Sequence, residues 1–288
     1  MAVKLQTIKD IRKYLVSELA AFYSENEILS LTGIILTSVL KTNRLKLLGT
    51  EKDPVDPKDA VRIVEMCEEL KNYKPIQYIT GETFFYDCVI KVGPEVMIPR
   101  PETEELVDLI IKENREFTGK ILDIGTGSGC IAIALAVKLS GSSVSAIDIS
   151  VEALELAKVN AAMNSVKIDF IQADILMDNF IEISMSDIIV SNPPYVRNSE
   201  KQFIKRNVLD FEPHEALFVL DSDPLVFYRA ILEKTVSLLN QGGRIYFEIN
   251  EAMGRELFNL AGSFGFKDIC VFKDLNGKER ILKGTKNG

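Results

Sequence analysis

The 288-residue chain predicts an α/β protein, a doubly wound parallel sheet preceded by a small all-α N-terminal domain. Three observations carry this expectation. From Lys120 onward short apolar runs alternate with helical periodicity, as when crossover helices join parallel strands. Before Gln77 the apolar residues recur at three- and four-residue spacing. The first run of the alternating part ends in a glycine-rich turn, at the strand end where open sheets of this kind bind ligands.

Taken in order, Ile8, Ile11, Leu15, Leu19 and Phe22 mark one face of an amphipathic helix. Thr7-x-x-Asp10 and Ser24-x-x-Glu27 are start signals for the first two helices. Asp56-Pro57 supplies a cap and a first-turn proline for a third, from Lys58 to about Asn72. Asn43 to Asp56 is loop-like. Residues 1–77 are thus a small helical bundle, by pattern alone either a binding module or a cap on the core. Thr83–Tyr86 and Cys88–Val92 form a predicted hairpin around Asp87, in a linker spanning 78–100. A domain from 101 to 288 follows, with strands at Lys120–Ile124, Ser143–Asp148, Lys167–Gln172, Asp187–Val190, Gly243–Ile249 and Phe266–Lys273. Helices are predicted at Cys130–Leu139, Ser150–Met163, Leu225–Leu239 and Glu251–Ser263.

Bulk properties exclude several functions. With 47% apolar and 26% charged residues the composition is that of a globular protein. The first ten residues lack a secretory h-region, and no apolar run reaches bilayer length, so a cytoplasmic protein without a membrane span is expected. One histidine, His214, and four dispersed cysteines provide neither a zinc site nor a histidine-based nucleophile, so no metal is expected. A net charge of −8 argues against stable nucleic-acid binding. No basic arm is concealed by the average, since residues 1–77 carry 12 basic and 11 acidic side chains.

Two motifs carry the chemistry. The first is Asp123-Ile124-Gly125-Thr126-Gly127-Ser128-Gly129, a strand running into a turn and then a helix. Glycines serve where backbone turns sharply and a ligand must come close. Asp148 ends the second strand, where a carboxylate can accept both ribose hydroxyls or cap the following helix. Asp174-Ile175 follows the third, placed either to meet an adenine amino group or to cap the next turn. Asp123 is expected to order the loop. An acid in this turn, with no basic residue to offset a pyrophosphate, suits the cationic sulfonium of S-adenosylmethionine better than a dinucleotide.

The second motif is Asn192-Pro193-Pro194-Tyr195, directly after the apolar strand Asp187–Val190. Proline fixes φ and has no N–H, so the loop is stiff, rich in acceptors and poor in donors. It suits a substrate with N–H bonds to give.

Together with Gln77-Tyr78-x-x-Gly81, Pro99-Arg100-Pro101-Glu102-Thr103-Glu104, Phe211–Leu217 and Asp274-x-x-Gly277-x-x-Arg280, these motifs resemble the protein-(glutamine-N5) methyltransferase family that modifies peptide chain release factors. The resemblance spans nearly the whole chain. It implies a Rossmann-like S-adenosylmethionine-dependent methyltransferase fold, with Gly125, Thr126, Gly127, Ser128, Gly129, Asp148, Asp174, Ile175 and Asn192 at the cofactor. It also implies methyl transfer to the glutamine of a Gly-Gly-Gln segment of class-1 release factors, with Asn192, Pro193, Pro194 and Tyr195 at the substrate amide and the helical domain gripping the protein partner. In that role the Asn192 oxygen and the Pro193 carbonyl each accept one amide N–H, and Tyr195 packs on the amide plane. Val219–Pro224 and Asn250 stand where the family usually has glycines. The Asn-Pro-Pro-Tyr motif alone is shared with adenine-N6 and cytosine-N4 nucleic-acid methyltransferases. A glutamine of a ribosomal protein, an adenine of a nucleic acid, and a regulator that binds cofactor without turnover are the alternatives.

Overall fold

Thr7 and Ser24 each accept from the main-chain N–H three residues on, and Asp10 and Glu27 reach back to the cap N–H, so two capping boxes open the first two helices. These are α1 (Ile8–Leu19) and α2 (Glu25–Val39). Asp56 caps α3 (Pro57–Lys71), whose first residue is the expected proline. Ile11, Leu15 and Leu19 of α1 bury with Ile35 and Leu36 of α2 and Ile63, Met66 and Leu70 of α3 in one apolar core. An unforeseen short helix, α4 (Ile76–Thr80), ends at Gly81 in the left-handed conformation.

The computed structural model describes residues 5–177 and 183–287. The chain divides into two units, Met1–Gly81 with Lys205–Phe211, and Glu82–Ile204 with Glu212–Gly288. The first junction lies after Gly81, against boundaries expected at 77 and 100, and the chain rejoins the helical unit over Lys205–Phe211. The first junction falls there because the hairpin of β1 (Glu82–Phe85) and β2 (Cys88–Lys91) belongs to the second unit.

Its two-residue turn, Tyr86-Asp87, holds both residues at positive φ (45° and 67°), as hairpin twist requires. Neither is glycine, and docking compensates. Glu104 and Asp108 of α5 (Pro101–Glu113) accept from the Tyr86 main-chain N–H and hydroxyl, both at 3.0 Å. From there the chain alternates through β3 (Lys120–Ile124), α6 (Cys130–Lys138), β4 (Ser143–Asp148), α7 (Val151–Met163), β5 (Asp169–Gln172) and β6 (Ser186–Ser191). A short β7 (Val196–Arg197) pairs with β8 (Phe218–Val219), and between them lies α8 (Arg206–Leu209), in the segment counted with the helical unit. There the Arg206 guanidinium lies 4.6 Å from the centre of the Tyr73 ring. The end of the chain is α9 (Val226–Leu238), β9 (Leu239–Glu248), α10 (Gly254–Ser263), β10 (Phe266–Lys273) and β11 (Glu279–Lys286).

The large sheet runs β10-β11-β9-β6-β3-β4-β5. Its β9, β6, β3, β4 and β5 are parallel, while β11 pairs antiparallel with both β9 and β10, so the sheet is mixed rather than parallel. The unforeseen strand is β11, whose Lys283, Gly284 and Lys286 disguise a run that buries Ile281 and Leu282. Chain order leaves β3 toward β4 on one side and returns at β6 on the other. That reversal makes the carboxyl ends of β3 and β6 the switch point of the sheet.

Candidate active site

Register brings the two motifs together. Ile124 pairs with Ser191 across β3 and β6, so Gly125 and Asn192 leave the sheet side by side. The Ser191 hydroxyl donates to the Ile124 carbonyl at 2.6 Å and pins the two strand ends. Above them opens a cleft of about 530 Å³. Gly125, Thr126, Gly127, Ser128, Asp148, Asp174, Ile175, Asn192, Pro193 and Pro194 all line it, so the structure gathers ten predicted residues from four strand ends.

The turn after β3 is held by main chain. The Gly125 and Thr126 N–H groups both donate to the Ile147 carbonyl of β4, at 2.9 and 3.0 Å. Asp148 accepts from the Gly127 N–H at 2.8 Å and the Ser150 N–H at 3.0 Å. Burial raises its carboxyl pKa, and those N–H groups pull the other way. A carboxylate has about four acceptor sites, so two further hydroxyls remain within its capacity. Beneath the turn Asp123 is fully buried and accepts the Thr126 hydroxyl at 2.6 Å, ordering the loop as expected. Burial pushes its carboxyl up to about 7. Asp174 accepts the Leu176 N–H at 2.8 Å, which makes it a turn cap as well as a wall of the cleft.

Two predicted residues fall elsewhere. Gly129 does not line the cleft; an added Cβ would come within 3.0 Å of Ala157 Cβ on α7, so this glycine serves helix packing. Tyr195 is not on the wall either. Its hydroxyl donates to Glu248 Oε1 at 2.8 Å and its ring packs on the sheet core, because the buried carboxylate at the end of β9 needs a donor. The expected cover of an amide plane is therefore replaced by a strut that holds the loop from behind.

Sequence reasoning missed the side chains that brace both motifs. Asn160 of α7 is fully buried and donates to the Ser128 carbonyl (2.9 Å) and the Lys91 carbonyl (3.0 Å), while accepting the Lys91 N–H (2.8 Å). Asn164, one turn later, exchanges bonds with Val89 in the same manner. Two asparagines at four-residue spacing on a helix were the available signal. The Asn192 Nδ2 donates to Thr103 Oγ1 at 3.2 Å, and the Thr103 hydroxyl donates to Glu248 Oε2 at 2.7 Å. Burial raises the Glu248 pKa, while the Thr103 and Tyr195 hydroxyls and the Arg280 charge lower it.

The remaining motifs also have places. Arg100 pairs with the buried Glu212, which accepts the Ile98 N–H at 3.1 Å, so the two segments clasp each other at the cleft rim. The hairpin opened by Asp274 delivers Arg280, whose Nη1 donates to the Ile249 carbonyl at 3.4 Å. Asn250 donates to the Tyr195 carbonyl at 3.3 Å and to Glu200 at 3.1 Å. Asp221 accepts from the Ser199 N–H and hydroxyl, so neither departure from the resembled pattern is idle.

Chemically the cleft is one-sided. Glu95, Asp148, Glu152, Asp174 and Glu215 line it, and among the described residues no Lys, Arg or His does. Ile149, Ile175, Leu176 and Phe227 supply apolar wall. Gly125 and Gly127 sit at positive φ, and a Cβ built on either meets nothing within 4 Å, so the backbone is open to a ligand. Acids that can accept hydroxyls, an apolar wall for a flat base, and a negative lining fit S-adenosylmethionine and oppose a polyphosphate.

Residues 103–214 match the family model described as Methyltransferase small domain, and residues 10–81 match that of the PrmC N-terminal domain. A release factor glutamine methyltransferase of Flavobacterium psychrophilum is 46% identical over 280 residues, covering 96% of this chain and 98% of the relative. One of Bacteroides thetaiotaomicron is 41% identical over 276 residues, covering 96% and 99%. A methyltransferase of Pyrococcus furiosus superposes with a TM-score of 0.53 at 17% identity, covering 81% of this chain and all of that one, which supports the fold alone.

Proposed function

The chain belongs to the release factor glutamine methyltransferase family, and on that premise we propose that it methylates the side-chain amide nitrogen (N5) of the glutamine in a Gly-Gly-Gln segment of class-1 peptide chain release factors. The observation that carries this reading is the meeting of an acid-lined glycine turn and an Asn-Pro-Pro loop in one cleft. S-adenosylmethionine supplies, when bound, an electrophilic methyl group on a cationic sulfur. Their place in the cleft lining supports assigning Asp148 to the ribose hydroxyls, Asp174 and Ile175 to the adenine, and the open backbone of Gly125 and Gly127 to the ligand's approach.

A glutamine amide nitrogen is a poor nucleophile because its lone pair is delocalised into the carbonyl. The Asn192 Oδ1 and the Pro193 carbonyl are assigned one N–H each. Accepting both bonds raises electron density on nitrogen and favours its pyramidal geometry in the transition state. The rigid loop holds that nitrogen in line for transfer, and such orientation is worth roughly 7–11 kcal/mol in well-aligned cases. The residues call for no covalent intermediate.

The helical unit is assigned to the release factor, and the acidic lining disfavours a nucleic-acid substrate. Among the described residues no helix is long and apolar enough to cross a membrane; action in the cytoplasm fits a modifier of translation factors. Mass spectrometry tests the reading directly, with release factor, ribosomal protein and DNA offered separately beside labelled S-adenosylmethionine. One methyl on the Gly-Gly-Gln peptide is expected. Transfer to ribosomal protein or DNA alone, or to none of the three, overturns it.

A further inference from the structure

Asn192 and Thr103 are 89 positions apart, and Thr103 and Glu248 are 145 apart, yet the three side chains form one line of hydrogen bonds. Thr103 is 1% exposed and Glu248 is 1% exposed, so water does not compete for their bonds. The protons in this line can be counted. Glu248, as a carboxylate, has only acceptors. It takes the Tyr195 hydroxyl proton on Oε1 and the Thr103 hydroxyl proton on Oε2. Burial, with Glu102, opposes the charged form, the two hydroxyl bonds and the Arg280 charge favour it, and the Tyr228 hydroxyl is spent on the Glu248 main-chain carbonyl at 2.7 Å. A hydroxyl has one proton. Once Thr103 gives it to Glu248, only lone pairs remain to meet Asn192, and they can pair only with its NH₂ end.

Building on the function assigned above, we propose that Thr103 and Glu248 are positioning residues that set the orientation of the Asn192 amide, committing its NH₂ to Thr103 and reserving Oδ1 for the substrate. The alternative rotamer turns the amide over. It puts Oδ1 against Thr103, where no proton is left to meet it, and presents two N–H donors to a substrate amide that also offers N–H. An isolated asparagine chooses between these states by small differences, whereas a buried carboxylate two bonds away makes the choice strongly one-sided. The first rotamer is thus an acceptor clamp and the second a repulsive one. Tyr195 supplies the other proton that Glu248 needs, which gives the aromatic residue of the loop a role in the same device.

The test measures methyl transfer to a release factor, with KM for that protein and calorimetric Kd for S-adenosylmethionine. Thr103→Val keeps the shape and removes the hydroxyl; kcat is expected to fall about 10²-fold, the scale of a misplaced reacting group, with KM and Kd within about threefold of wild type. Thr103→Ser is expected to restore kcat to within about fivefold. In an Asn192→Ala background, Thr103→Val is expected to cost less than about twofold, because the residue through which it acts is gone. A kcat for Thr103→Val within about threefold of wild type, a serine variant as slow as the valine one, or full additivity in the double variant overturns the proposal. If Thr103→Val loses cofactor binding, Ser and Cys carry the comparison: a thiol is a weak donor, so Cys must fall at least about fivefold below Ser, and equality overturns the proposal. Wild-type enzyme that leaves the glutamine unmethylated sinks the functional reading instead, before any variant is compared.

Discussion

The turn after β3 and the loop after β6 leave neighbouring strands side by side, yet they are held in different ways. The turn's own N–H groups hold the first, Gly125 and Thr126 to the Ile147 carbonyl and Gly127 to the Asp148 carboxylate, with Asn160 bracing the Ser128 carbonyl. Side chains from distant segments hold the second, with Thr103, Glu248 and Asn250 reaching in from α5 and the end of β9. A turn whose own N–H groups meet the adjacent strand is specified mostly by local residue types. A loop held by side chains needs the whole fold first. The difference suits the two tasks, since a cofactor can be bound on preformed main chain, while an amide clamp needs one rotamer of one asparagine.

The largest expected effect breaks the second loop. Asn192→Ala removes an acceptor that acts mainly in the transition state, so kcat/KM for release factor methylation should drop about 10²–10³-fold. Calorimetry with S-adenosylmethionine should show a far smaller change in affinity. Near-equal losses in both quantities would mean that Asn192 belongs to the cofactor turn, and the contrast between the loops would collapse.

Next in size is the brace of the first turn. Asn160→Ala leaves the Ser128 carbonyl and both Lys91 main-chain groups without their partner. Three bonds at about 1 kcal/mol each, plus buried groups left unpaired, predict a loss of about 2–4 kcal/mol in urea unfolding. A loss under about 1 kcal/mol would show that the turn stands on its own backbone and needs no such brace.

These two residues also mark what was legible in the sequence. Asp123 through Ser128, Asp148 and Asn192 could be found because each lies within a few residues of a recognisable strand end, and local geometry places it. The same holds for the caps Thr7, Ser24 and Asp56, whose partners are two or three positions away. Thr103 and Glu248 could not be paired, because contact between them depends on α5 lying beside the end of β9. Tyr195 was misread for a related reason: its loop was visible, but the carboxylate behind it was not. The resemblance assigns Gly129 to the cofactor, whereas in the fold it packs against Ala157, a contact with a helix 28 positions on. The antiparallel β11 escaped because its buried pair, Ile281 and Leu282, sits among charged and small residues without clean alternation.

Asp123 sharpens the comparison through pH. Its folded carboxyl titrates near 7, above the ordinary 3.8, so the folded protein holds this proton more tightly than the unfolded chain. Stability of the cofactor-free protein should therefore fall as pH rises from about 4 to 7, by up to ~1.4 kcal/mol per unit from this group. Asp123→Asn keeps an oxygen for the Thr126 hydroxyl and removes the titration. Urea midpoints measured across that window should decline less steeply in the variant, and parallel profiles would mean that Asp123 ionises as an ordinary acid.

The smallest effect separates holding a loop from holding a rotamer. Asn250 ties down the Tyr195 carbonyl and Glu200, but it makes no bond to Asn192 or Thr103 among the described residues. Asn250→Gly should cost about 1 kcal/mol of stability and lower kcat by no more than about threefold, since Glu248 still fixes the proton order at Thr103. Substrate KM should rise as kcat falls, because a looser loop weakens binding and transfer alike. A loss comparable to that of Asn192→Ala would mean that the path of the backbone, rather than the order of protons behind it, aims the amide. The second loop would then be governed by main chain, as the first one is.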